Sequence, residues 1–551
     1  MTTNNKSGTF LRWMFVLLLA GFTSCTKNFE TINAPWSGSP TPTLPQLYIG
    51  IVANLDATAN TEMRDDNGWI LPITQQGAVY TKSDYPWSTT TSIWSDFYHN
   101  LPNFNECLTI IASSPDTTIY TNFKGMLKTL KGYQAIKISN LFGDLPYFKA
   151  GLATTGAEAY KVPYDKQQDI YLAVLSDLTW AVNNFSDDPN QYSLGTSDYV
   201  LQNNIPQWIK FANSLRLRIA LTIYGKDPTD AAPIIADALT KPLLSDWQND
   251  NVGLSSSNIS GLAFDARAYS YGNECRLRMG TTMWKMMSST DATDGSGIFD
   301  PRAKIFFEPN NDTEWVPYPQ NSDVSTNPET GSPYDQSIRD ADWPNKIGKT
   351  ASTPGSPNLY ANFNYYLSRD GVIANSTGAK PEIFMTAAEV HFLTAEAYIL
   401  GIPGVSQDLT KAQTEYETGV TASLNYWTNM AMQSSVWVVS KPTALPSPAV
   451  ITGVLNNPIV KFSTDPTIAL TQIYAQDWID LFTEPWEALT LLRRTGGMTP
   501  MDPDNAAFYQ STYSSLQRYI YPGSESQYNY DNWFAETGGN DLISTKLWIT
   551  K

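Results

Sequence analysis

Apolar residues recur every three or four positions through much of the chain, a spacing that places them on one face of an α-helix. In "QDIYLAVLSDLTWAVNNF" the residues in register are Tyr171, Leu175, Leu178 and Val182. The same spacing predicts further helices over residues 92–112, 122–142, 207–224, 386–401, 409–427, 473–482 and 485–494. Pro102 interrupts the first of these, so we expect a kink or two short helices there. The chain is therefore predicted to be mostly α.

The helical spacing is lost between residues 251 and 380, where Gly, Asn, Asp, Ser and Pro dominate and aromatic residues occur singly. So long an irregular stretch within a compact protein is usually functional. We therefore divide the chain into a first helical part (46–250), a loop-rich insertion that we expect to be functional (251–380), and a second helical part (381–551).

The first residues have the order of an export signal. Two basic residues precede an apolar run over 13–22, which is too short to span a membrane because a helix needs about 20 residues to do so. Small residues then lead directly to Cys25, so residues 1–24 are predicted to be a lipoprotein signal peptide and Cys25 the lipidated first residue. The Pro-, Ser- and Thr-rich residues that follow predict a flexible stalk over 25–45.

Composition narrows the possible partners. The formal net charge of −17 argues against nucleic acid, which requires a basic surface. Aromatic residues make up 13% of the chain, with 17 Trp and 30 Tyr, and such rings in exported proteins often hold sugars or peptides. With Cys25 lipidated, Cys107 and Cys275 form one disulfide or remain two buried thiols.

Signs of catalysis are few. The chain has two histidines, and the segment around His391 lacks the paired histidines of a zinc protease. Its acids, Glu389 and Glu396, are expected to pair with neighbouring helices instead. The acidic loop "TDGSGIFD" (293–300) lacks the spacing of a Ca²⁺ loop, so no metal is assigned and no cofactor is predicted. No nucleophile elbow, P-loop or dinucleotide fingerprint is present.

Two conspicuous motifs are interpreted as structural. In "LFGDLPYFKA" (141–150), Gly143 permits a tight turn and Pro146 fixes the exit, which predicts a rigid corner between a helix and a loop. Arg493 and Arg494 lie near the end of a predicted helix, where positive charge is favourable, and are expected to pair with acids.

Eight segments, spread in order along nearly the whole chain, carry a family resemblance. They are "CTKNFETIN" (25–33), "SNLFGDLPYFKA" (139–150), "WIKFANSLRLRIALTIY" (208–224), "FDPRAKIFF" (299–307), "FMTAAEVHFLTAEAYILG" (384–401), "AQDWIDLFTEPWEALTLLRRTGG" (475–497), "RYIYPGSESQYN" (518–529) and the terminal "TKLWITK". Together they resemble the SusD/RagB family of Bacteroidetes nutrient-uptake lipoproteins, and most closely its second SusD-like branch.

The resemblance implies a fold and a function. The fold would be mostly α, with a tetratricopeptide-like helix-pair scaffold and a loop-rich ligand-binding insertion. The protein would be lipid-anchored in the outer membrane and face the cell exterior. It would capture an oligosaccharide and deliver it, as a lid, to a SusC-like TonB-dependent barrel. A peptide-capture protein like RagB is the alternative, and a surface glycan-degrading enzyme, an alternative of another class, is disfavoured because the family does not hydrolyse its ligands.

The resemblance also implies, by region rather than by residue, where the ligand binds. One aromatic platform would come from "VYTKSDYPWSTTTSIW" (79–94) and its following helix, and the other from the insertion. The candidate ligand-binding residues are Trp87, Tyr85, Tyr80, Asp84, Asn103, Trp315, Tyr318 and Trp343. Trp87 is favoured among them because Pro86 stiffens its loop and its Ser and Thr neighbours indicate exposure.

Overall fold

The structure is a computed structural model, and it divides the chain into two units, Met1–Gln46 and Leu47–Lys551. The residues that it describes are 42–55, 65–78, 87–152, 157–254, 277–310, 313–318, 360–364, 367, 382–434, 437, 440–502 and 516–551. The predicted signal peptide, Cys25 and most of the stalk lie outside these residues. Apart from residues 44–46, which begin the first described helix, everything below concerns the second unit.

Helices dominate the part of the chain before the insertion. They are α1 (Leu44–Ala53), α2 (Leu71–Thr74), α3 (Trp87–Ala112), α4 (Thr121–Phe142), α5 (Gln167–Asn184), α6 (Ile205–Tyr224) and α7 (Pro228–Ala238). Single turns of other helix types occur as well: a π-helix over Asp66–Ile70 and 3₁₀ turns over Thr118–Tyr120, Ala157–Tyr160 and Gly195–Ser197.

The rest of the chain returns to helix after a region of short elements. The insertion contributes β1 (Val252–Leu254), α8 (Thr281–Met287), α9 (Ala303–Phe306), β2 (Phe307–Glu308) and β3 (Asn362–Phe363), followed by β4 (Glu382–Met385). The second helical part consists of α10 (Ala387–Leu400), α11 (Leu409–Gln433), α12 (Pro448–Asn456), α13 (Pro466–Asp480), a 3₁₀ turn (Leu481–Thr483), α14 (Pro485–Arg494), α15 (Gly523–Tyr528) and α16 (Tyr530–Thr537).

Successive helices pack as pairs. Helix α4 lies against α5, α6 against α7, and α10 against α11, while α13 packs on the other side of α10. Helix α10 is capped at both ends. The side chain of Thr386 accepts a hydrogen bond from the backbone N–H of Glu389, and Gly401 ends the helix in a left-handed conformation with φ of 59°. The predicted mostly α fold built from helix pairs is confirmed.

Helix α3 excludes one of the two outcomes that the sequence predicts at Pro102. It is a single helix from Trp87 to Ala112 with Pro102 inside it, rather than two short helices. Proline inside a helix removes a hydrogen bond and costs about 3 kcal/mol. The apolar face is continuous on both sides of the proline, and we attribute the unbroken helix to its burial. The fully or nearly fully buried residues of that face are Trp94, Phe97, Leu101, Phe104 and Ile111.

Buried ion pairs join the two helical parts and also join helices within the second. Arg218 on α6 donates to both oxygens of Glu389 on α10, at 2.6 and 2.5 Å, and Arg494 on α14 pairs with Glu396 at 2.6 and 2.8 Å. Arg493 donates instead to the carbonyl oxygen of Asn140 at 2.7 Å, and burial lowers its pKa to about 10. The predicted helix-pairing roles of Glu389 and Glu396 are confirmed.

The "LFGDLPYFKA" segment forms the predicted corner. Gly143 ends α4 with φ of 88°, a left-handed conformation that favours glycine. The hydroxyl of Tyr98 then donates to the carbonyl oxygen of Pro146 at 2.9 Å, and Leu145 exchanges backbone hydrogen bonds with Asp165. Elsewhere Cys107 is a free, buried thiol, while Cys275 lies outside the described residues.

The strands form two small antiparallel sheets. Strand β1 pairs with β4, which fastens the start of the insertion to the strand before α10, and β2 pairs with β3 within the insertion. Phe307 and Phe363 face each other in the second sheet, and both contact Phe482. The insertion is therefore fastened to the helical core by its own apolar residues.

Candidate functional site

The segment that leads into the predicted aromatic loop is held on α13. The indole Nε1 of Trp478 donates to the carbonyl oxygen of Thr74 at 2.8 Å, and Gln76 Nε2 donates to the carbonyl oxygen of Trp478 at 2.7 Å. Between them Gln75 adopts a left-handed conformation, φ 58°, and its side chain accepts a bond from the backbone of Asp502 at 3.0 Å. The chain therefore enters the loop at residue 79 from a fixed point.

That fixed point is joined to the insertion by backbone pairing. Ala78 and Arg278 exchange hydrogen bonds of 2.9 and 2.7 Å. Two residues further on, Gly280 forms a β-bridge with Tyr318. The backbone N–H of Tyr318 donates to the carbonyl oxygen of Met279 at 2.8 Å. We call these paired residues, with Tyr360 and Ala361 beside them, the junction. It brings together the bases of the two regions from which the sequence predicts ligand contacts.

Aromatic rings fill the junction. Tyr318 is completely buried, packs against Ala78, and makes an edge-to-face contact with half-buried Tyr360 at a centroid distance of 4.7 Å. Trp315 is 8% exposed and belongs to the main core. Its ring lies over Gly295, since a Cβ there would be 2.8 Å from Trp315 Cδ1. Trp315 and Tyr318 are therefore packing residues of the core and of the junction, and neither offers a free ring face.

Of the other candidate ligand-binding residues, the structure describes only some. Tyr80, Asp84, Tyr85 and Trp343 lie outside the described residues, and Trp87 is described only as the first residue of α3. Asn103 does not join them. It lies on α3 about 24 Å from Trp87, at the helical rise of 1.5 Å per residue, with its amide near Gly50. Because α3 begins at Trp87 and is continuous through Pro102, Asn103 lies more than four turns from the start of the helix.

Two residues of the junction were missed by sequence reasoning. Arg278 is fully buried, and its guanidinium donates to the carbonyl oxygen of Leu277 at 3.2 Å. Nothing in the local sequence indicates a buried arginine there. Tyr360 carried a weak signal, because it stands in "NLYANFNYY", where aromatic residues return after a stretch rich in Gly, Pro and Ser.

No metal centre is found in the described part of the chain, where no three His, Cys, Asp or Glu residues are grouped so that they could hold an ion. Both ring nitrogens of His391 make hydrogen bonds within the protein: Nδ1 lies 2.6 Å from Glu415 Oε2, and Nε2 lies 3.0 Å from the carbonyl oxygen of Ser245. Over the same residues, no helix is both long enough and apolar enough to cross a membrane.

A family model matches residues 39–522 and is described as "Starch-binding associating with outer membrane", SusD-like 2. The chain belongs to this SusD-like family. The predicted second SusD-like branch is therefore confirmed, and with it membership of a family associated with the outer membrane. No curated protein matches the chain.

Solved structures share the SusD-like fold. A chitin-binding protein has 19% identity and a TM-score of 0.68, with 92% of this chain and 100% of that chain covered. A SusD homologue from Parabacteroides distasonis has 18% identity and a TM-score of 0.68, covering 93% and 98%. A chitin-binding SusD homologue from Flavobacterium johnsoniae has 19% identity and a TM-score of 0.63, again covering 92% and 98%. These likenesses extend over nearly the whole length of each chain.

Proposed function

We propose that this protein captures an oligosaccharide at the cell surface and delivers it, as a lid, to a SusC-like TonB-dependent barrel in the outer membrane. The observation that carries the proposal is the SusD-like family match over residues 39–522, whose description names starch binding and the outer membrane. Two structures of the same fold are described as chitin-binding. Both descriptions concern glycans, which favours an oligosaccharide over a peptide as cargo.

The junction supports a capture site beside it. It fixes the base of the loop that carries Tyr80, Asp84 and Tyr85 against the insertion that carries Trp343. A sugar ring binds through dispersion and CH–π contact with a flat aromatic face, and rings that start from a rigid base lose less freedom on binding. We propose these residues and Trp87 as the contact set and add Tyr360, whose ring is half-buried at the junction.

Membrane attachment would come from acyl chains on Cys25. The formal charge of −17 disfavours adsorption to anionic head groups, so a lipid anchor supplies what the protein surface does not. More than one acyl chain makes such an attachment stable.

Replacing Trp87 with alanine is expected to weaken glycan binding by about 1 kcal/mol or more, a roughly fivefold rise in Kd, because the proposed stacking face is removed. Isothermal titration calorimetry with the tightest-binding oligosaccharide measures the change. Trp180→Ala is the matched control, since Trp180 is a partly buried tryptophan on α5 that does not belong to the proposed contact set. An unchanged Kd for Trp87→Ala would remove Trp87 from the site.

A further inference from the structure

A second concave site lies where the corner after α4 meets the start of α5 and the C-terminal residues. The cavity has a volume of about 440 Å³, which is within the range of small-molecule sites. Its lining includes Gly143 and Asp144 of the corner, Glu536 at the end of α16, and Trp548. None of these residues belongs to the predicted aromatic site.

Four of the five charged residues in the lining, Asp144, Lys166, Arg518 and Glu536, are held in ion pairs. Lys166 Nζ lies 2.7 Å from Asp144 Oδ2 and 3.0 Å from Glu536 Oε2, which ties the corner to α16. Arg518 pairs with Asp541 and donates to the carbonyl oxygen of Tyr519 at 2.9 Å. These pairs hold the wall in place. Lys546, the fifth, is exposed to solvent, and within the described residues it makes no ion pair.

Other lining groups remain available to a ligand. In the portion of the chain that the structure describes, the indole N–H of half-buried Trp548 and the side chains of Asn540 and Thr545 make no hydrogen bond, and Asn540 and Thr545 are exposed. An edge-to-face contact with Tyr171, 6.0 Å between centroids, positions the Trp548 ring. One aromatic ring, a free amide and a free hydroxyl therefore lie around one cavity.

We propose that this cavity binds a neutral, polyhydroxylated ligand of mono- or disaccharide size. Sugar hydroxyls both donate and accept hydrogen bonds, which matches the amide of Asn540 and the hydroxyl of Thr545. The apolar face of a pyranose matches the ring of Trp548. Lys166 and Arg518 are engaged in ion pairs, and the charge of exposed Lys546 is screened by solvent, which disfavours an anion as the ligand. Its lining shares no residue with the proposed capture site, and binding here does not require that site.

The test labels the chain with 5-fluorotryptophan, after removal of the leader and with Cys25→Ser, and follows ¹⁹F resonances during titration with maltose, cellobiose and N,N′-diacetylchitobiose. Trp548→Phe assigns the Trp548 signal, and Trp87→Phe assigns the signal that reports on the capture site. At least one disaccharide is expected to shift the Trp548 signal with saturation. Because the two sites have separate signals, the absence of binding at one site can be detected independently of the other.

Thr545→Phe is designed to fill the cavity from its exposed rim and is expected to weaken the Trp548 response at least tenfold. Thr410→Phe, at an exposed position on α11, is the matched control and should leave the response unchanged. Melting temperatures establish that both variants fold. A Trp548 signal that none of the three disaccharides moves would overturn the proposal, as would a response that persists unchanged in Thr545→Phe.

Discussion

Replacing Glu389 with glutamine is expected to lower the free energy of unfolding by about 3–5 kcal/mol, because it leaves a buried arginine without its main counter-charge. Glu389 is 3% exposed and binds Arg218 through both carboxylate oxygens, while Arg218 also donates to the carbonyl oxygen of Phe384 at 2.9 Å. The remaining acid near Arg218 is Glu487 at 3.5 Å, too far for a strong hydrogen bond. The guanidinium would therefore be only partly compensated.

Chemical denaturation with urea, followed by circular dichroism, measures the loss. Glu106→Gln is the matched control, since it makes the same substitution at an exposed position of α3 and is expected to change the free energy of unfolding by less than about 0.5 kcal/mol. A loss below about 1 kcal/mol for Glu389→Gln would show that the pair behaves as a surface salt bridge and does not hold α6 against α10.

Stability is expected to fall as the pH rises from about 4 to about 7 because of Asp65, whose burial raises its pKa to about 7. The carboxyl is fully buried and accepts a bond from the hydroxyl of Tyr519 at 2.6 Å, and both this bond and the charge of Lys137 lower the pKa without offsetting the burial. Its other oxygen, Oδ2, has no hydrogen-bond partner within the described residues.

The direction of the change in stability with pH follows from the protons that the folded and unfolded states bind. Folded Asp65 holds its proton up to about pH 7, whereas the unfolded chain releases it near pH 3.8. Its contribution to stability is therefore fully present below the unfolded pKa and is lost as the pH rises through the folded pKa. At about 1.4 kcal/mol per pKa unit, the total is about 4 kcal/mol.

Asp65→Asn removes this titration and keeps an oxygen for Tyr519. Between pH 4 and pH 8 its free energy of unfolding should gain about 4 kcal/mol relative to the parent protein. Urea denaturation at both pH values measures the gain. Asp187→Asn, at an exposed position, should stay within about 0.5 kcal/mol of the parent at each pH. An equal difference between Asp65→Asn and the parent at both pH values would contradict the raised pKa.

The eight helices predicted from the sequence could be found because each carries its own apolar periodicity, whereas others, such as α7 and α12, were missed. The errors fall where long-range contacts decide. Helix α13 begins at Pro466, earlier than predicted, since Asp465 caps it through the backbone N–H groups of Thr467 and Ile468. That Asp-Pro-Thr signal was present in the sequence and was missed. Helix α3 passes through Pro102 because core residues support both of its halves, which the local sequence around a proline does not indicate.

The candidate site was less predictable than the fold. A lone tyrosine or tryptophan in an irregular stretch has no periodicity that separates a packing ring from a binding ring. Tyr318 is buried by residues distant in sequence, among them Ala78 and Tyr360. Trp315 packs into the main core and over Gly295. Local rules did identify the corner at Gly143, since its left-handed turn is a local requirement, but they could not indicate that the corner also lines a cavity with the C-terminal residues.

Direct binding to glycans is the most direct test of the account. The chain without its leader, carrying Cys25→Ser, would be titrated in a calorimeter with oligosaccharides from starch and chitin and, in parallel, with a mixed peptide pool. The account predicts saturable heat with one class of oligosaccharide and none with the peptides. Heat with peptides alone would contradict it and indicate a RagB-like function. No heat of binding with any oligosaccharide would contradict capture by this protein on its own.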